Sequence, residues 1–143
     1  MAQNTPQYEI GMIFGIFDGF HDGHRHFVEE AASHCQKLIV VVGHPDVIQT
    51  LKNSAPRYSQ EERMAEIRKR YPHHTVVPGD AAIHTWSALK KYRPDIVFVG
   101  YDQHTLAQEL AKIDTPCLSL AAYHPDKYKS SLLNKNIRQT GKF

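Results

Sequence analysis

The residues of this chain that are best suited to chemistry are concentrated in one stretch, GIFDGFHDGHRHF at 15–27, directly after an apolar run. The stretch holds three histidines, two aspartates and three glycines. Imidazoles donate hydrogen bonds to phosphate oxygens, and both imidazoles and carboxylates bind metal ions. Three interpretations therefore compete: a phosphate-binding turn, a metal site, or a polar loop that happens to be rich in histidine.

The phosphate interpretation is favoured by Gly23, which falls at the start of a predicted helix. Free backbone N–H groups and the helix dipole attract anions there, and a glycine lets the backbone approach a ligand closely. His21 and His24 are three residues apart, so a helical turn brings both to one side. This geometry suits a polyphosphate that lies across the helix start.

A metal site would draw on four potential ligands in the same stretch: His21, Asp22, His24 and His26. Helical ligand pairs are typically spaced at i and i+4, and no cluster of cysteine or glutamate occurs elsewhere at ligand-like spacing. We therefore expect no metal held by the protein itself. The metal site and the plain polar loop stay open as alternatives to phosphate binding.

The elements that position this stretch are short apolar strands alternating with helices. Apolar and β-branched runs predict five strands, at 8–16, 37–43, 74–79, 95–100 and 116–120. Apolar spacing of three and four residues, with Ser59 and Glu62 as a capping box, predicts helices at 23–37, 59–71, 83–92, 104–112 and 131–139.

Strands alternating with helices predict an α/β fold, a single domain over 1–143 with a doubly wound, five-stranded parallel sheet. Ligands of such sheets bind outside the carboxyl ends of the strands, where the strand order reverses. In a 3-2-1-4-5 order, the loops DGFHDGH and GYDQH follow neighbouring strands. We expect both loops to face one crevice.

Composition excludes several classes of protein. The formal net charge is only +2 and no block of lysine and arginine occurs, which argues against a nucleic-acid or membrane-surface partner. No apolar stretch approaches the ~20 residues of a membrane span, and the N-terminal residues lack signal-peptide features. Cys35 and Cys117 lie in apolar segments and are predicted to be buried, reduced thiols. A cytoplasmic enzyme or binding domain is expected.

The stretch GIFDGFHDGH resembles the G-x-F-D-x-x-H-x-G-H signature (the HxGH motif) of the cytidylyltransferase-like nucleotidylyltransferases. YSQEERMAEIRKRY resembles the family's E-R-containing helix, PDIVFVGYDQ its fourth strand and G-x-D loop, and YKSSLLNKNI its last, serine-containing helix start. The resemblance implies a Rossmann-like fold. It also implies transfer of a nucleoside monophosphate from an NTP, which brings Mg²⁺ with it, to a phosphate monoester, with release of pyrophosphate.

The resemblance also implies roles for individual residues. His21 and His24 would contact the triphosphate, with His24 nearest the transferring α-phosphate, and Lys52 and Arg63 would complete the catalytic set. Nucleotide-binding positions would be Gly15, Ile16, Phe17, Asp18, Gly23, Gly100, Asp102, Gln103, Ser130 and Ser131.

Plainer roles remain open for several of these residues. Asp18 could cap its own loop, Lys52 and Arg57 could be solvated surface residues, and Ser131 could be an ordinary N-cap. Trp86 could stack on a base but is expected to pack at the rim.

The substrate is predicted from the same resemblance. The chain is similar to glycerol-3-phosphate cytidylyltransferases in length and helix motifs, and to archaeal-type FAD synthases in its G-x-D-Q loop and bare Ser-Ser. CTP with a small phosphorylated alcohol is the expected pair, and ATP with FMN is the alternative. A homodimer is expected by analogy with relatives of this size. A non-catalytic nucleotide-binding domain on the same fold is the rival function.

Overall fold

The computed structural model describes residues 7–82 and 85–120. Its strands are β1 (Tyr8–Gly15), β2 (Cys35–Val42), β3 (Thr75–Pro78), β4 (Ile96–Val99) and β5 (Cys117–Ser119). Its helices are α1 (Asp22–Ser33), α2 (Pro45–Lys52), α3 (Gln60–Arg70), α4 (Ser87–Tyr92) and α5 (His104–Lys112). The helix predicted at 131–139 lies outside the described residues.

The strands form a parallel sheet in the order β3-β2-β1-β4-β5, as the sequence predicted. β1 is central: it pairs with β2 from Tyr8 to Gly15 and with β4 from Gly11 to Ile13. After β1 the chain adds β2 and β3 on one side of it, and later adds β4 and β5 on the other side. The carboxyl end of β1 therefore lies at the switch point, between the ends of β2 and β4.

Each face of the sheet buries its own apolar cluster beneath helices. On one face Ile13 and Val40 pack with Val28 of α1 and Ile67 of α3. On the other face Met12 and its neighbours pack against residues of α4 and α5. Alternate side chains of β1 thus enter opposite clusters, which is why the strands are continuous apolar runs.

Three elements differ from the sequence prediction. The helix predicted at 83–92 begins only at Ser87, because Trp86 before it is in a left-handed backbone conformation and is not part of the helix. Helix α1 ends at Ser33, and Cys35 begins β2 by pairing with Tyr8, so Cys35 was wrongly included in the helix. The helical spacing continued to Cys35 because its side chain enters the same core cluster as Val28 and Ala31. Helix α2 was not predicted, because a histidine stands at its N-cap instead of Ser, Thr, Asp or Asn.

Other local predictions can be compared with the structure; one of them, the burial of Cys117, is met only in part. Ser59 and Glu62 form the predicted capping box of α3. Cys35 is buried, Cys117 is only partly buried, and both are free thiols. Burial raises the pKa of each thiol to about 11. Within the part of the chain that the structure describes, no helix has the length and apolar character needed to cross a membrane.

Candidate active site

A cavity of about 1060 Å³ opens at the carboxyl edge of the sheet. Four strand ends contribute to its wall: the residues after β1 supply His21 and His24, and those after β2 supply Gly43 and His44. Gly79 follows β3 in the same wall, and the Gly100–Gln103 loop follows β4. The two polar loops that the sequence placed at the switch point therefore do face one crevice.

The imidazoles of His21 and His24 cap the first turn of α1. Nδ1 of His21 accepts a hydrogen bond from the backbone N–H of Gly23 at 3.1 Å, and Nδ1 of His24 accepts one from the N–H of His21 at 3.3 Å. This is a capping box made of two histidines, and their rings stack with centroids 3.7 Å apart. Because Nδ1 is the acceptor in each neutral ring, the ring proton lies on Nε2.

The aromatic surroundings of His24 keep its ring neutral. The ring of Phe17 meets it edge-on at 5.5 Å, and the ring of Phe20 lies 5.6 Å away. Burial, and then the neighbouring His21, lower the pKa of His24 to about 4, although Asp102 and Asp18 act in the opposite direction. At neutral pH the side chain is therefore an uncharged donor at Nε2.

Two glycines make this packing possible. A Cβ on Gly15 would lie 2.6 Å from ring atoms of Phe17, so the end of β1 accepts that buried ring only because Gly15 has no side chain. A Cβ on Gly23 would lie 3.0 Å from Cε1 of His21. Gly23 therefore makes room for the capping imidazole, in addition to leaving its backbone accessible to the cavity.

Asp18 is a tether between distant parts of the chain. Its carboxylate accepts hydrogen bonds from the backbone N–H groups of Arg57, at 2.8 Å, and Tyr58, at 3.0 Å. Burial raises the pKa of Asp18, but these two hydrogen bonds and the charges of Arg57 and Arg63 outweigh it, so the net pKa is lowered. Asp18 is not among the residues that line the cavity. Its geometry fits the loop-capping alternative.

Arg63 is a buried clamp, only 2% exposed, and it too is absent from the cavity wall. Its guanidinium donates to three backbone carbonyls: Nε to Tyr58 at 2.9 Å, and Nη1 to both Ile16 and Gly43 at 2.9 Å. The last two carbonyls follow β1 and β2. Arg63 thus joins the ends of two neighbouring strands and positions the loops that start there, which is the arrangement of a site-shaping residue.

Gln103 has a comparable bracing role on the other side of β1. Its Oε1 accepts the N–H of Gly100 at 2.7 Å, and its Nε2 donates to the carbonyl of Phe14 at 2.8 Å. Both ends of the amide are therefore used to hold the β4 loop against β1. Asp102 is exposed in the same loop and lines the cavity.

Basic residues reach the cavity from α2. Lys52, in the last turn of that helix, lines the cavity and is exposed. His44, the N-cap of α2, lines it as well and was missed from the sequence. Pro45 at the first helical position followed by Asp46 was the signal that could have revealed both the helix and its cap. Arg57 is not in the wall, and its guanidinium lies 3.9 Å from Asp18.

The remaining predicted positions divide between the rim and the undescribed segments. Trp86 packs edge-on against Phe14 with ring centroids 5.9 Å apart, and it also lines the cavity together with exposed Tyr101. Ser130 and Ser131 lie outside the described residues. Among the residues that are described, no three His, Cys, Asp or Glu side chains are grouped to hold a metal ion.

Curated relatives align with nearly the whole chain. The FAD synthase of Pyrococcus abyssi (strain GE5 / Orsay) is 30% identical over 138 residues, which cover 90% of this chain and 91% of that protein. The FAD synthase of Thermococcus sibiricus (strain DSM 12597 / MM 739) is 30% identical over 144 residues, covering 95% of this chain and 97% of that protein.

Solved structures share the fold. The lipopolysaccharide core biosynthesis protein from Thermoplasma volcanium GSS1 matches with a TM-score of 0.66 at 24% identity, covering 80% of this chain and 96% of that one. A bifunctional NMN adenylyltransferase/ADP ribose pyrophosphatase from Francisella tularensis matches with a TM-score of 0.58 at 14% identity, covering 86% of this chain and 42% of that one. The cytidylyltransferase-like family model matches residues 12–117. With that match and these relatives, the chain belongs to the cytidylyltransferase-like family and is a nucleotidyltransferase.

Proposed function

We propose that this protein is an adenylyltransferase that transfers AMP from ATP to FMN and so forms FAD. The observation that carries this proposal is the roughly 30% identity to FAD synthases along nearly the full length of both chains. The relatives thereby favour the ATP and FMN alternative over CTP and a small polyol phosphate, which was the pair expected from the sequence.

The proposed reaction is a single in-line displacement. A phosphate oxygen of FMN attacks the α-phosphorus of ATP and forms a new P–O bond, while the bond from that phosphorus to the bridging oxygen of the β-phosphate breaks. Pyrophosphate leaves with the electron pair of the broken bond. Such chemistry asks the protein mainly for positioning and for donors that follow the developing charge.

His21 and His24 are the proposed donors. Their Nδ1 atoms are occupied by the cap, so each neutral ring presents its Nε2–H, and a single tautomer is already selected before substrate binds. We place His24 nearest the transferring α-phosphate and His21 along the triphosphate. A neutral donor whose orientation is fixed in advance loses little on reorganisation in the transition state.

The other predicted residues take two kinds of role in this proposal. Lys52 supplies positive charge to a phosphate, and Asp102 with the backbone of Gly100 faces the nucleoside. Arg63 and Gln103 position the strand ends: Nε and Nη1 of Arg63 and Nε2 of Gln103 donate to backbone carbonyls, while Nη2 of Arg63 is buried without a hydrogen-bond partner among the described residues.

The apolar part of the cavity supports a flavin acceptor better than a polyol. Val47, Ile48 and Trp86 line it, and the cavity of about 1060 Å³ must hold the nucleotide together with the acceptor. Ligand pockets of this size typically hold a body of drug size or larger against apolar walls.

Mg²⁺ is proposed to arrive with ATP. The described residues contain no cluster of three potential ligands, which fits an ion held by phosphates and water with little help from the protein. Protein purified without metal-affinity resin should then contain no stoichiometric zinc. One tightly held zinc per chain in elemental analysis would contradict this assignment.

The proposed function is tested by assaying pyrophosphate release with Mg²⁺ and two substrate pairs in parallel, ATP with FMN and CTP with glycerol 3-phosphate. We expect turnover with ATP and FMN, with FAD identified as the product by chromatography. Turnover only with CTP and glycerol 3-phosphate would reverse the choice of substrates. The variant His24→Asn serves as the inactive control.

We also propose a homodimer, since helix faces of a single-domain sheet offer apolar surface for pairing. Light scattering should give twice the 16.3 kDa chain mass. A monomer at micromolar concentration would refute it.

A further inference from the structure

The cavity is not symmetrical in charge about β1. Lys52, on the β2 side, is the one lysine or arginine among the described residues of its wall. Asp102 stands on the β4 side, where its charge acts on His24 to raise the pKa of that ring. Asp80 also lines the cavity, after β3, but its Oδ2 accepts hydrogen bonds from Thr85 at 2.7 Å and from the N–H of Ser87 at 2.8 Å. The pKa of Asp80 is lowered, so it stays charged, and it belongs to the β2 side because β3 pairs with β2.

The wall on the β4 side holds two carboxylates, Asp102 and Glu109, with no lysine or arginine among its described residues. The β2 side, with Lys52 beside Asp80, is therefore the less negative of the two and repels a dianionic phosphate least.

His44 lies on that side and repeats the capping device of His21. Its Nδ1 accepts a hydrogen bond from the backbone N–H of Asp46 at 3.0 Å, just as His21 accepts from Gly23 two residues further on. The neutral ring therefore carries its proton on Nε2. His44 lines the cavity with 27% of its side chain exposed, so this donor is available to a ligand.

Helix α2 turns one face to the cavity. His44, Ile48 and Lys52 are spaced at i, i+4 and i+8, and all three line the cavity, as does Val47. At a rise of 1.5 Å per residue, the two polar ends of this face are about 12 Å apart along the helix. The face thus has an imidazole at one end, two aliphatic side chains in the middle and an amine at the other end.

The in-line geometry of the transfer indicates which phosphate contacts this face of α2. The attacking and leaving oxygens lie on opposite sides of the phosphorus, and His21 and His24 occupy the central strand end between the two sides. If the nucleotide occupies the β4 side, the attacking phosphate must arrive from the β2 side, where His44 and Lys52 stand.

We propose that His44 is a third phosphate-binding histidine of the cavity and that it binds the phosphate of the acceptor substrate. The inference rests on the proposed nucleotidyl transfer to a phosphate monoester. His44 donates through Nε2–H to an acceptor oxygen, Lys52 adds charge from the far end of α2, and Val47 and Ile48 pack against the acceptor's apolar body.

The test is His44→Asn, which keeps a side-chain acceptor at the N-cap of α2 but is too short to present a donor at the position of Nε2. We expect the KM for FMN to rise about tenfold and the KM for ATP and kcat to stay within about twofold, as loss of one hydrogen bond to a charged acceptor predicts. The matched control is His73→Asn, an exposed histidine that does not line the cavity; it should leave all three values unchanged.

A binding experiment isolates the phosphate. Titrations followed by flavin fluorescence should show about tenfold weaker binding of FMN to His44→Asn, and no difference between variant and wild type for riboflavin, which lacks the phosphate. Equal losses for FMN and riboflavin would assign His44 to the flavin body and overturn the proposal. A raised KM for ATP alone would assign His44 to the triphosphate and overturn it as well.

The experiments distinguish an error in the proposed substrates from an error in the role of His44. If the wild type transfers CMP to glycerol 3-phosphate and makes no FAD, the FMN proposal fails, and the same comparison of KM values on glycerol 3-phosphate decides the role of His44. If the wild type uses neither acceptor, both proposals are wrong.

Discussion

Two regions around the end of β1 use their polar side chains in opposite ways. In the anchor beneath the loop, formed by Asp18 and Arg63, the hydrogen bonds that both side chains make go to backbone groups. In the first turn of α1, His21 and His24 each use one ring nitrogen for the backbone and hold the proton on the other. The anchor fixes geometry, and the helical turn offers donors to a ligand.

This difference separates positioning from binding among residues that belong to one motif. Asp18 and the two histidines lie within seven residues of one another, yet Asp18 is outside the cavity wall and the histidines are in it. Substitutions in the anchor should therefore act mainly on folding, and substitutions in the helical turn mainly on turnover.

Replacing His24 by asparagine should lower kcat by about 10²–10³-fold, because a donor to the transferring phosphate is lost. The melting temperature should change by only a few degrees, since the ring is partly exposed at the cavity. Steady-state assays and thermal unfolding measure the two effects. The companion variant His21→Asn, which retains an N-cap acceptor, should show the same pattern. A large fall in melting temperature with activity intact would show that the histidines are structural.

Replacing Arg63 by methionine should reduce the free energy of unfolding by about 3 kcal/mol or more, because three partly buried carbonyls lose their donor. Denaturant unfolding followed by circular dichroism measures this loss. Arg63→Lys should recover only part of it, since one ammonium cannot reach all three oxygens in the geometry of the guanidinium fork. Loss of turnover at unchanged stability would instead make Arg63 a substrate-contacting residue and remove the distinction drawn here.

Replacing Asp18 by asparagine should reduce the free energy of unfolding by about 1–2 kcal/mol at pH 7, because one backbone N–H group loses its acceptor and the other keeps only an uncharged amide oxygen. The pKa of Asp18 is lowered in the folded protein, so its contribution is present above its unfolded value and is lost as the pH falls through the folded one. The difference between wild type and variant should therefore shrink in acid. Glu61→Gln, at an exposed position in the first turn of α3, is the control.

The smallest expected effect is a pH dependence from His24. Its pKa is lowered from 6.5 to about 4, so the unfolded chain takes up this proton at a higher pH than the folded protein does. The contribution of His24 to the free energy of unfolding is therefore fully present above about pH 6.5 and decreases as the pH falls toward 4. Melting temperatures between pH 7 and pH 4.5 should decline less in His24→Asn than in wild type. Parallel declines would mean that His24 titrates normally.

Much of the architecture follows from local patterns in the chain. The β-branched run of β2 and the capping box at Ser59 are signals that involve only nearby residues, and both elements formed as predicted. Helix α2 escaped prediction because its cap is a histidine, whose ring geometry at the N-terminus becomes evident only in the folded backbone. The boundary at Cys35 was misplaced because one core cluster receives side chains from both α1 and β2.

In the candidate site, too, some features follow from local sequence and others only from the tertiary structure. The sequence by itself determined that two histidines and a glycine stand together at a helix start, because spacing of three residues forces them onto one turn. Only the tertiary structure decided that Asp18 reaches Arg57 and Tyr58, that Arg63 clamps two strand ends, and that α2 brings His44 to the cavity. These contacts join residues about 20 to 47 positions apart, and no local periodicity encodes which buried donor will meet which carbonyl. Packing of α3 and α2 against the sheet makes that selection, since each buried polar group must find a partner where the chain happens to pass.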